Sequence, residues 1–257
     1  LYKKSLYYNY IMFMKKHFKN KLRDTLGFFY YNSYLKYFQN MGNRVLTYHA
    51  FGSKLKHDTY GFSVDLDKFE EQIKFYKDNY EIININEYKN YSIDTLSITI
   101  DDGYKDNIDA VNILNKYNIP FSLYVTTNTL NTPQYLSSDD IKSLSRLSNC
   151  EIGSHCYDHI RLNTLSNEKI LYQLSESKKI LENIINNKVI GISYPNGSYN
   201  EYVLSVLKVI GYDYAACSIK GKNTKETSNY LLRRSEVIQS DSLSTITNKI
   251  NGYYDFY

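Results

Sequence analysis

Short β-rich runs alternate with stretches of helical periodicity from Arg44 onward, and this alternation most constrains the fold. The β-rich runs span residues 44–49, 80–85, 95–100, 120–126, 150–155, 189–194, 212–217 and 231–237. The helical patterns span residues 66–79, 104–118, 137–148, 167–187, 199–210 and 241–251. Such alternation predicts an α/β fold whose parallel strands are joined by crossover helices. Seven or eight units suit a barrel, complete or not, and a doubly wound open sheet is the alternative.

The distribution of charge divides the chain. Residues 1–44 hold nine Lys and Arg against one Asp, whereas residues 45–257 hold 22 basic and 26 acidic residues. The main part of the chain therefore lacks the positive field of a nucleic-acid-binding protein. We divide the chain into a basic, aromatic, helical extension (1–43) and a catalytic domain (44–257). The extension either packs on the main domain or contacts an anionic membrane surface.

Targeting signals and cysteines give little information about where the protein is located. No run approaches the roughly 18 apolar residues of a membrane span, and residues 1–20 lack a signal-peptide pattern. We expect a protein of the cytoplasm or of the membrane periphery, or an extracytoplasmic one if an upstream signal was removed. Three cysteines make a disulfide framework improbable, so we expect reduced thiols.

An acidic pair ends one of the β-rich runs. Asp101, Asp102 and Gly103 follow the apolar run 95–100. Adjacent side chains at the end of a strand point to different sides, so one carboxylate could bind a metal while the other faces a substrate. Two solvated acids in an Asp-Gly turn are the alternative.

A histidine pair follows another β-rich run. His155 and His159 are four residues apart, and the chain has only five histidines. If the chain turns helically there, both imidazoles lie on one face. Two imidazoles and one carboxylate suit Zn²⁺ or a similar divalent ion.

A third strand end carries a tight turn. Pro195 and Gly197 follow the run 189–194, and the backbone N–H groups of this turn could face an anion. The acidic pair, the histidine pair and this turn together supply the groups that metal-assisted attack of water on a carbonyl requires.

These segments resemble the NodB-type polysaccharide deacetylases. Residues 100–103 (IDDG) are similar to that family's T-F-D-D-G motif, residues 155–159 (HCYDH) to its H-[ST]-x-x-H motif, and residues 193–197 (SYPNG) to its R-x-P-Y-G region. The Tyr-His pair at 48–49 and the Tyr-Pro-x-Gly form most resemble the branch that deacetylates poly-N-acetylglucosamine. The resemblance runs from about residue 44 to 252.

The resemblance implies a distorted (β/α)7-type barrel and a hydrolase that releases acetate from N-acetylhexosamine units, N-acetylglucosamine above all, of a polysaccharide or glycan precursor. It implies one divalent metal ion, Zn²⁺ first and Ni²⁺ or Co²⁺ next. Asp101 would be the general base, Asp102, His155 and His159 would hold the metal, and the backbone N–H of Asn196 would help form the oxyanion hole.

The sequence departs from the family pattern at two places, and three further residues are predicted to contact the substrate. Ser193 stands where many members have an Arg that contacts the catalytic Asp, and no His follows His159, so the late general-acid His is missing. A barrel that binds carbohydrate with weak or no catalysis is therefore the alternative function. We assign substrate contacts to His49, Tyr194 and Pro195. The missing proton could come from protonated Asp101, from His49 or from water at the metal.

Overall fold

The computed structural model describes residues 18–19, 21–38, 41–53, 60–90 and 92–256. These residues form two compact units: residues 41–241 form the larger one, and the described part of 1–40 forms the smaller one with residues 242–256. Our division into a helical extension (1–43) and a catalytic domain (44–257) stays a prediction, because the two compact units describe packing and not function. Residues 1–17, which we expected to contribute to the helical extension, lie outside the described residues.

One sheet organises the larger unit. Its strands, counted among the described residues, are β1 (Asn43–Tyr48), β2 (Glu81–Ile82), β3 (Thr95–Ile100), β4 (Phe121–Val125), β5 (Cys150–Ser154), β6 (Gly191–Ser193), β7 (Tyr214–Ala216) and β8 (Ser235–Glu236). They lie in the order β7-β6-β5-β4-β3-β1-β8, and β2 also pairs with β3. All of these pairs are parallel.

The two edges of this sheet approach each other. The N–H of Leu232, just before β8, donates to the carbonyl of Ala215 at 2.9 Å, and the N–H of Cys217 donates to the carbonyl of Leu232 at 2.8 Å. Hydrogen bonds thus connect the β7 side to the chain that enters β8. The sheet curls toward a barrel, which confirms the predicted fold class.

Helices connect the strands of the larger unit. They are α3 (Leu66–Asn79), α4 (Asn107–Lys116), α5 (Ser138–Leu144), α6 (Asn167–Ile185) and α7 (Glu201–Ile210). Their ends follow local chemistry. Ser137 and Asp140 form a capping box at the start of α5, and Gly211 ends α7 in the left-handed conformation at φ 96°.

Crossover helices cover the sheet, and its central strands are buried. Every residue of β1, β3 and β4 is buried, as expected of parallel strands enclosed on both faces. Aromatic rings fill the interior where glycines make room. A Cβ at Gly153 of β5 would lie 2.4 Å from the ring of Tyr124, and one at Gly191 of β6 would lie 2.2 Å from the hydroxyl of Tyr214.

The smaller unit is helical. Residues 18–19 and 21–30 are helical, and we call 21–30 α1. A π-helical turn, Tyr31–Leu35, and α2 (Lys36–Phe38) follow, and α8 (Leu243–Asn251) lies near the end of the chain. No helix among the described residues is long and apolar enough to span a bilayer. All three cysteines are free thiols, as predicted.

Candidate active site

The carboxyl ends of three strands supply the predicted catalytic side chains. Asp101 and Asp102 follow β3, His155 follows β5, and Tyr194 follows β6. Because parallel strands end at the same edge of the sheet, side chains far apart in the sequence meet there. Within the larger unit this edge brings together Asp101, Asp102, His155 and His159.

Backbone conformation separates the two carboxylates. Asp101 continues the sheet, and its N–H donates to the carbonyl of Tyr48 at 2.9 Å. Asp102 has a φ of 75°, and Gly103 has a φ of 78°. A non-glycine residue rarely adopts this left-handed conformation, which turns the Asp102 carboxylate away from that of Asp101 and toward the histidines.

Both imidazoles reach Asp102. The Nε2 atoms of His155 and His159 each lie 3.4 Å from Asp102 Oδ1. The segment between the two histidines is not helical, which differs from our expectation. Cys156 adopts a φ of 64° there and buries its side chain, so a left-handed bend rather than a helical turn brings the imidazoles together.

This trio could hold a divalent metal ion. One ligand atom from each of Asp102, His155 and His159 lies within 4.8 Å of the others. Asp102 Oδ1 is buried and has no hydrogen-bond partner, an arrangement that is costly without a cation. The Nδ1 of His155 faces the carbonyl of Ser193 at 2.8 Å. A proton on Nδ1 leaves Nε2 as the free lone pair, which is the tautomer that a metal ligand needs.

Electrostatics keep the carboxylate charged. Burial opposes ionisation of Asp102, but the close polar contact with His155 and the charges of the neighbouring histidines lower its pKa. Burial and His155 lower the pKa of His159, which favours the neutral imidazole. Burial acts in the same direction on His155, but Asp101 and Asp102 outweigh it and raise its pKa. A cation that displaces the proton of His155 would meet an anionic carboxylate and two imidazoles, a donor set that fits Zn²⁺ or a similar ion.

Asp101 is held by an arginine that we did not predict. Arg234 lies just before β8 and is 3% exposed, as is Asp101. Its Nη1 donates to Asp101 Oδ1 at 2.8 Å, and its Nη2 donates to Oδ2 at 2.8 Å. The Ser193 hydroxyl also donates to Asp101 Oδ2 at 2.9 Å. This paired geometry is the strongest form of ion pair between a guanidinium and a carboxylate.

Arg234 sets the charge state of Asp101. Burial would raise the pKa of Asp101, but the Arg234 guanidinium and His155 outweigh it and hold that pKa well below the usual range of an aspartate. A carboxylate in the barrel interior therefore stays ionised at neutral pH and can accept a proton.

A local signal in the sequence points to Arg234. The residue sits in the β-rich run 231–237, where a charged side chain must either face solvent or find a buried partner. Arg233 next to it is exposed. Arg234 is buried, and a buried guanidinium needs an anionic partner such as a carboxylate.

The turn after β6 adopts the predicted tight geometry. Asn196 has a φ of 56° and Gly197 a φ of 63°. The N–H of Gly197 donates to the carbonyl of Tyr194 at 2.9 Å, which closes the turn. The Tyr194 side chain is buried and its hydroxyl donates to the carbonyl of Tyr230, and Pro195 is buried as well. Substrate contacts from these residues stay predictions, and for Tyr194 such a contact would involve its backbone.

His49 lies near the acidic pair. It follows β1, and while burial opposes ionisation of Asp101 and Asp102, the nearby His49 imidazole is among the groups that lower the pKa of each. Its ring packs against Phe62 with 4.8 Å between ring centres. Its Nδ1 is buried without a hydrogen-bond partner. An unpaired ring nitrogen beside the acidic pair is suited to a polar group of a substrate.

Aromatic side chains lie close to the metal-ligand trio. Tyr104 and Tyr135 stack with 5.0 Å between ring centres and an interplanar angle of 24°. Burial and the nearby Asp102 carboxylate raise the pKa of Tyr104, so the phenol stays protonated. This pair and Phe62 provide flat apolar faces beside Asp102 and His49.

Comparison with known proteins identifies the same segments. The family model described as polysaccharide deacetylase matches residues 88–215. YxkH of Bacillus subtilis (strain 168), a polysaccharide deacetylase homologue, is 28% identical over an alignment of 204 residues. The alignment covers 75% of this chain and 70% of that protein. The poly-β-1,6-N-acetyl-D-glucosamine N-deacetylase of Staphylococcus aureus (strain MRSA252) is 23% identical over 215 residues, 76% of this chain and 74% of that protein.

A solved structure agrees with the fold. BC0361, a polysaccharide deacetylase from Bacillus cereus, superposes with a TM-score of 0.74 and 24% identity, covering 82% of this chain and 69% of that one. The family match contains the acidic pair, both histidines and the turn after β6, which are the segments that meet at one edge of the sheet. The chain therefore belongs to the polysaccharide deacetylase family, with relatives in its poly-N-acetylglucosamine branch.

Proposed function

We propose that the protein hydrolyses the N-acetyl groups of N-acetylhexosamine units, N-acetylglucosamine above all, in a polysaccharide or glycan precursor, and that one divalent metal ion is required. The observation that carries this proposal is the meeting of Asp102, His155 and His159 within 4.8 Å, beside the buried carboxylate of Asp101. The name of the Staphylococcus aureus relative supports the choice of sugar.

Asp102, His155 and His159 would hold the metal, with Zn²⁺ as the first choice and Ni²⁺ or Co²⁺ as alternatives. When bound, a divalent cation polarises the acetyl carbonyl and increases the acidity of water. The hydrogen bond between His155 Nδ1 and the carbonyl of Ser193 orients one ligand.

Asp101 would take a proton from the attacking water as the water oxygen bonds to the acetyl carbon. The backbone N–H of Asn196 would stabilise the resulting oxyanion, since a preorganised donor at that position costs no rearrangement during the reaction. The carbon–nitrogen bond then breaks, the leaving amine takes up a proton, and acetate departs. Arg234 and Ser193 would hold the Asp101 carboxylate in place through both steps.

Asp101 would also return its proton to the leaving amine, because a base that is protonated in the first step can act as the acid in the second. His49 is the other candidate donor. Under this proposal His49 contacts the sugar, and His49→Ala lowers the rate of acetate release by less than about tenfold. A loss of about a thousandfold with metal and fold intact would transfer the acid role to His49.

The substrate would lie against the aromatic side chains beside the site. Sugar rings present flat C–H faces, and the Tyr104–Tyr135 pair and Phe62 offer apolar surface of matching shape. His49 and the backbone of the turn after β6 supply polar contacts next to these faces.

Acetate release from soluble β-1,6-linked N-acetylglucosamine oligomers, measured together with the metal content of the protein, tests the proposal. Asp101→Asn should keep its metal and lose most turnover, because the base is gone while the ligands remain. Asp102→Asn should lose metal and turnover together. The exposed Asp139→Asn is the matched control and should change neither.

Two outcomes would contradict the proposal. Normal turnover by Asp101→Asn would show that the base is another group. Oligomer binding without acetate release, by wild-type protein loaded with each of the three metals in turn, would favour the alternative of a carbohydrate-binding barrel.

A further inference from the structure

The smaller unit exposes an apolar stripe on one face of a helix. Phe18, Leu22, Leu26 and Phe29 are 68%, 50%, 49% and 63% exposed. Residues 18–19 and 21–30 are helical, and the spacing of four, four and three residues is that of one helical face. We call these four residues the exposed stripe.

The opposite face of this helix is occupied by the chain's own C-terminal segment. Arg23 lies 4.3 Å above the ring of Tyr254, whose hydroxyl donates to Asp24 at 2.8 Å. Gly27 is buried against Tyr253, where a Cβ would meet the carbonyl oxygen at 2.5 Å. The helix is therefore fixed by one face, and the exposed stripe is the face that it presents outward.

Lysines flank the exposed stripe. Lys19 and Lys21 are exposed and project on either side of it, since each helical residue advances about 100° around the axis. Phe28, which is 53% exposed, extends the apolar surface on the side of Lys21. An apolar stripe bordered by lysines is the pattern of a helix that lies in the plane of a membrane interface.

The net charges of the two units indicate the kind of surface to which the exposed stripe binds. Residues 1–40 with 242–257 carry nine Lys and Arg against two acidic residues, a net charge of +7. Residues 41–241 carry 22 basic and 25 acidic residues, a net charge of −3. An anionic surface attracts the smaller unit and weakly repels the larger one, so attraction is concentrated beside the exposed stripe.

We propose that the exposed stripe, together with Lys19 and Lys21, binds the protein to the surface of an anionic lipid bilayer. The apolar side chains enter the boundary between headgroups and acyl chains, and the lysines pair with lipid phosphates. A polyanion such as a nucleic acid would use the lysines and leave the phenyl and leucyl groups in water. The combination of both features favours lipid.

Cosedimentation of the full chain with phosphatidylcholine vesicles, with and without phosphatidylglycerol, tests this proposal. Wild-type protein should bind the anionic vesicles. Leu22→Ser/Leu26→Ser should weaken binding by about tenfold or more, because it removes most of the apolar contact of two side chains. Lys19→Gln/Lys21→Gln should weaken it by about fivefold per lysine and reduce its salt dependence.

Control variants carry the same chemical changes on the larger unit. Val209→Ser/Ile219→Ser replaces side chains that are 85% and 45% exposed. Lys142→Gln/Lys169→Gln removes two exposed lysines. Both should bind vesicles as the wild type does. Equal binding by the exposed-stripe variants and their controls would overturn the proposal.

An inserted tryptophan gives an independent readout. The chain has no Trp, so Phe29→Trp places a single indole in the exposed stripe. Its emission should shift to shorter wavelength on addition of anionic vesicles, and that of Val209→Trp should not shift. An unshifted Phe29→Trp spectrum would overturn the proposal. So would sedimentation velocity showing that the exposed stripe mediates self-association while vesicles remain unbound.

Discussion

At the scale of single residues, Arg234 explains how a carboxylate can be both buried and reactive. Burying an unpaired charge costs several kcal/mol, and the paired hydrogen bonds from Arg234 offset that cost for Asp101. Ser193 bridges the two groups, because its hydroxyl donates to Asp101 and accepts from Arg234 Nη2 at 2.7 Å. The serine that appeared as a departure from the family pattern is thus part of the same hydrogen-bond network.

Replacing Arg234 should damage both stability and the pH profile. Arg234→Ala leaves a buried carboxylate without its partner, so the free energy of unfolding should fall by about 3–5 kcal/mol. In Arg234→Lys a charge remains and the paired geometry is lost. The pKa of Asp101 should rise in that variant, and the acid limb of the pH–rate profile should move to higher pH. Chemical denaturation and acetate release across pH measure both effects.

Arg233→Ala is the matched control for Arg234, because its side chain is exposed on the opposite side of the same run. Its unfolding free energy should stay within about 0.5 kcal/mol of the wild-type value. An Arg234→Lys enzyme whose acid limb does not move would show that Arg234 has no influence on the base.

At the scale of elements, the two ends of the strands have different roles. The carboxyl ends present the catalytic candidates. Near the amino ends of β5 and β7, Glu151 accepts from the hydroxyl of Tyr214, and the hydroxyl of Tyr124 on β4 donates to that of Tyr214 at 3.1 Å. Asn86 also donates to Glu151 at 3.0 Å. This polar network joins three strands, and the Tyr124 ring at one end of it lies 5.7 Å from the Arg234 guanidinium.

Glu151 should make stability depend on pH. Burial raises its pKa to about 7, although the Tyr214 hydroxyl opposes the shift. Between the ordinary pKa of a glutamate and pH 7, the folded protein therefore binds more protons at this site than the unfolded chain does. Its contribution to stability is complete at low pH and is lost as pH rises through about 7. The loss should be about 2–3 kcal/mol in unfolding free energy.

Glu151→Gln should remove this part of the pH dependence, because an amide does not titrate and can still accept from Tyr214. Urea unfolding of both proteins from pH 5 to 8 measures the difference. Glu81→Gln on β2, where the side chain is exposed, should keep the wild-type slope. Parallel curves for wild type and Glu151→Gln would contradict the assignment of the slope to Glu151.

At the scale of the whole molecule, the chain combines two units of opposite net charge. The larger unit contains every residue of the metal-ligand trio, so an ion that binds only the folded trio adds its binding free energy to the stability of this unit.

Zn²⁺, Ni²⁺ or Co²⁺ should therefore raise the midpoint of thermal unfolding. At a free metal concentration one hundred times the dissociation constant, the gain is about 2.7 kcal/mol, or roughly 5–10 °C for a unit of this size. Asp102→Asn should lose this gain, and Asp139→Asn should keep it. Differential scanning calorimetry with and without a chelator measures the gain, and an equal gain in Asp102→Asn would place the ion elsewhere.

Local sequence patterns were sufficient to predict the elements and the strand ends. Hydrophobic period and turn residues are local properties, so each β-rich run contains a strand and each predicted helix is present. The acidic pair after β3 and the histidines after β5 could be paired because parallel strands end at a common edge.

Which side chains meet depends on the folded sheet. The curl of the sheet brings Arg234 to Asp101 across more than a hundred residues of chain, and no local pattern encodes that distance. The left-handed conformation of Cys156 is likewise imposed by surrounding contacts, since cysteine does not favour it. Periodicity reports which face of an element is buried, whereas the partner on that face depends on how the whole sheet closes.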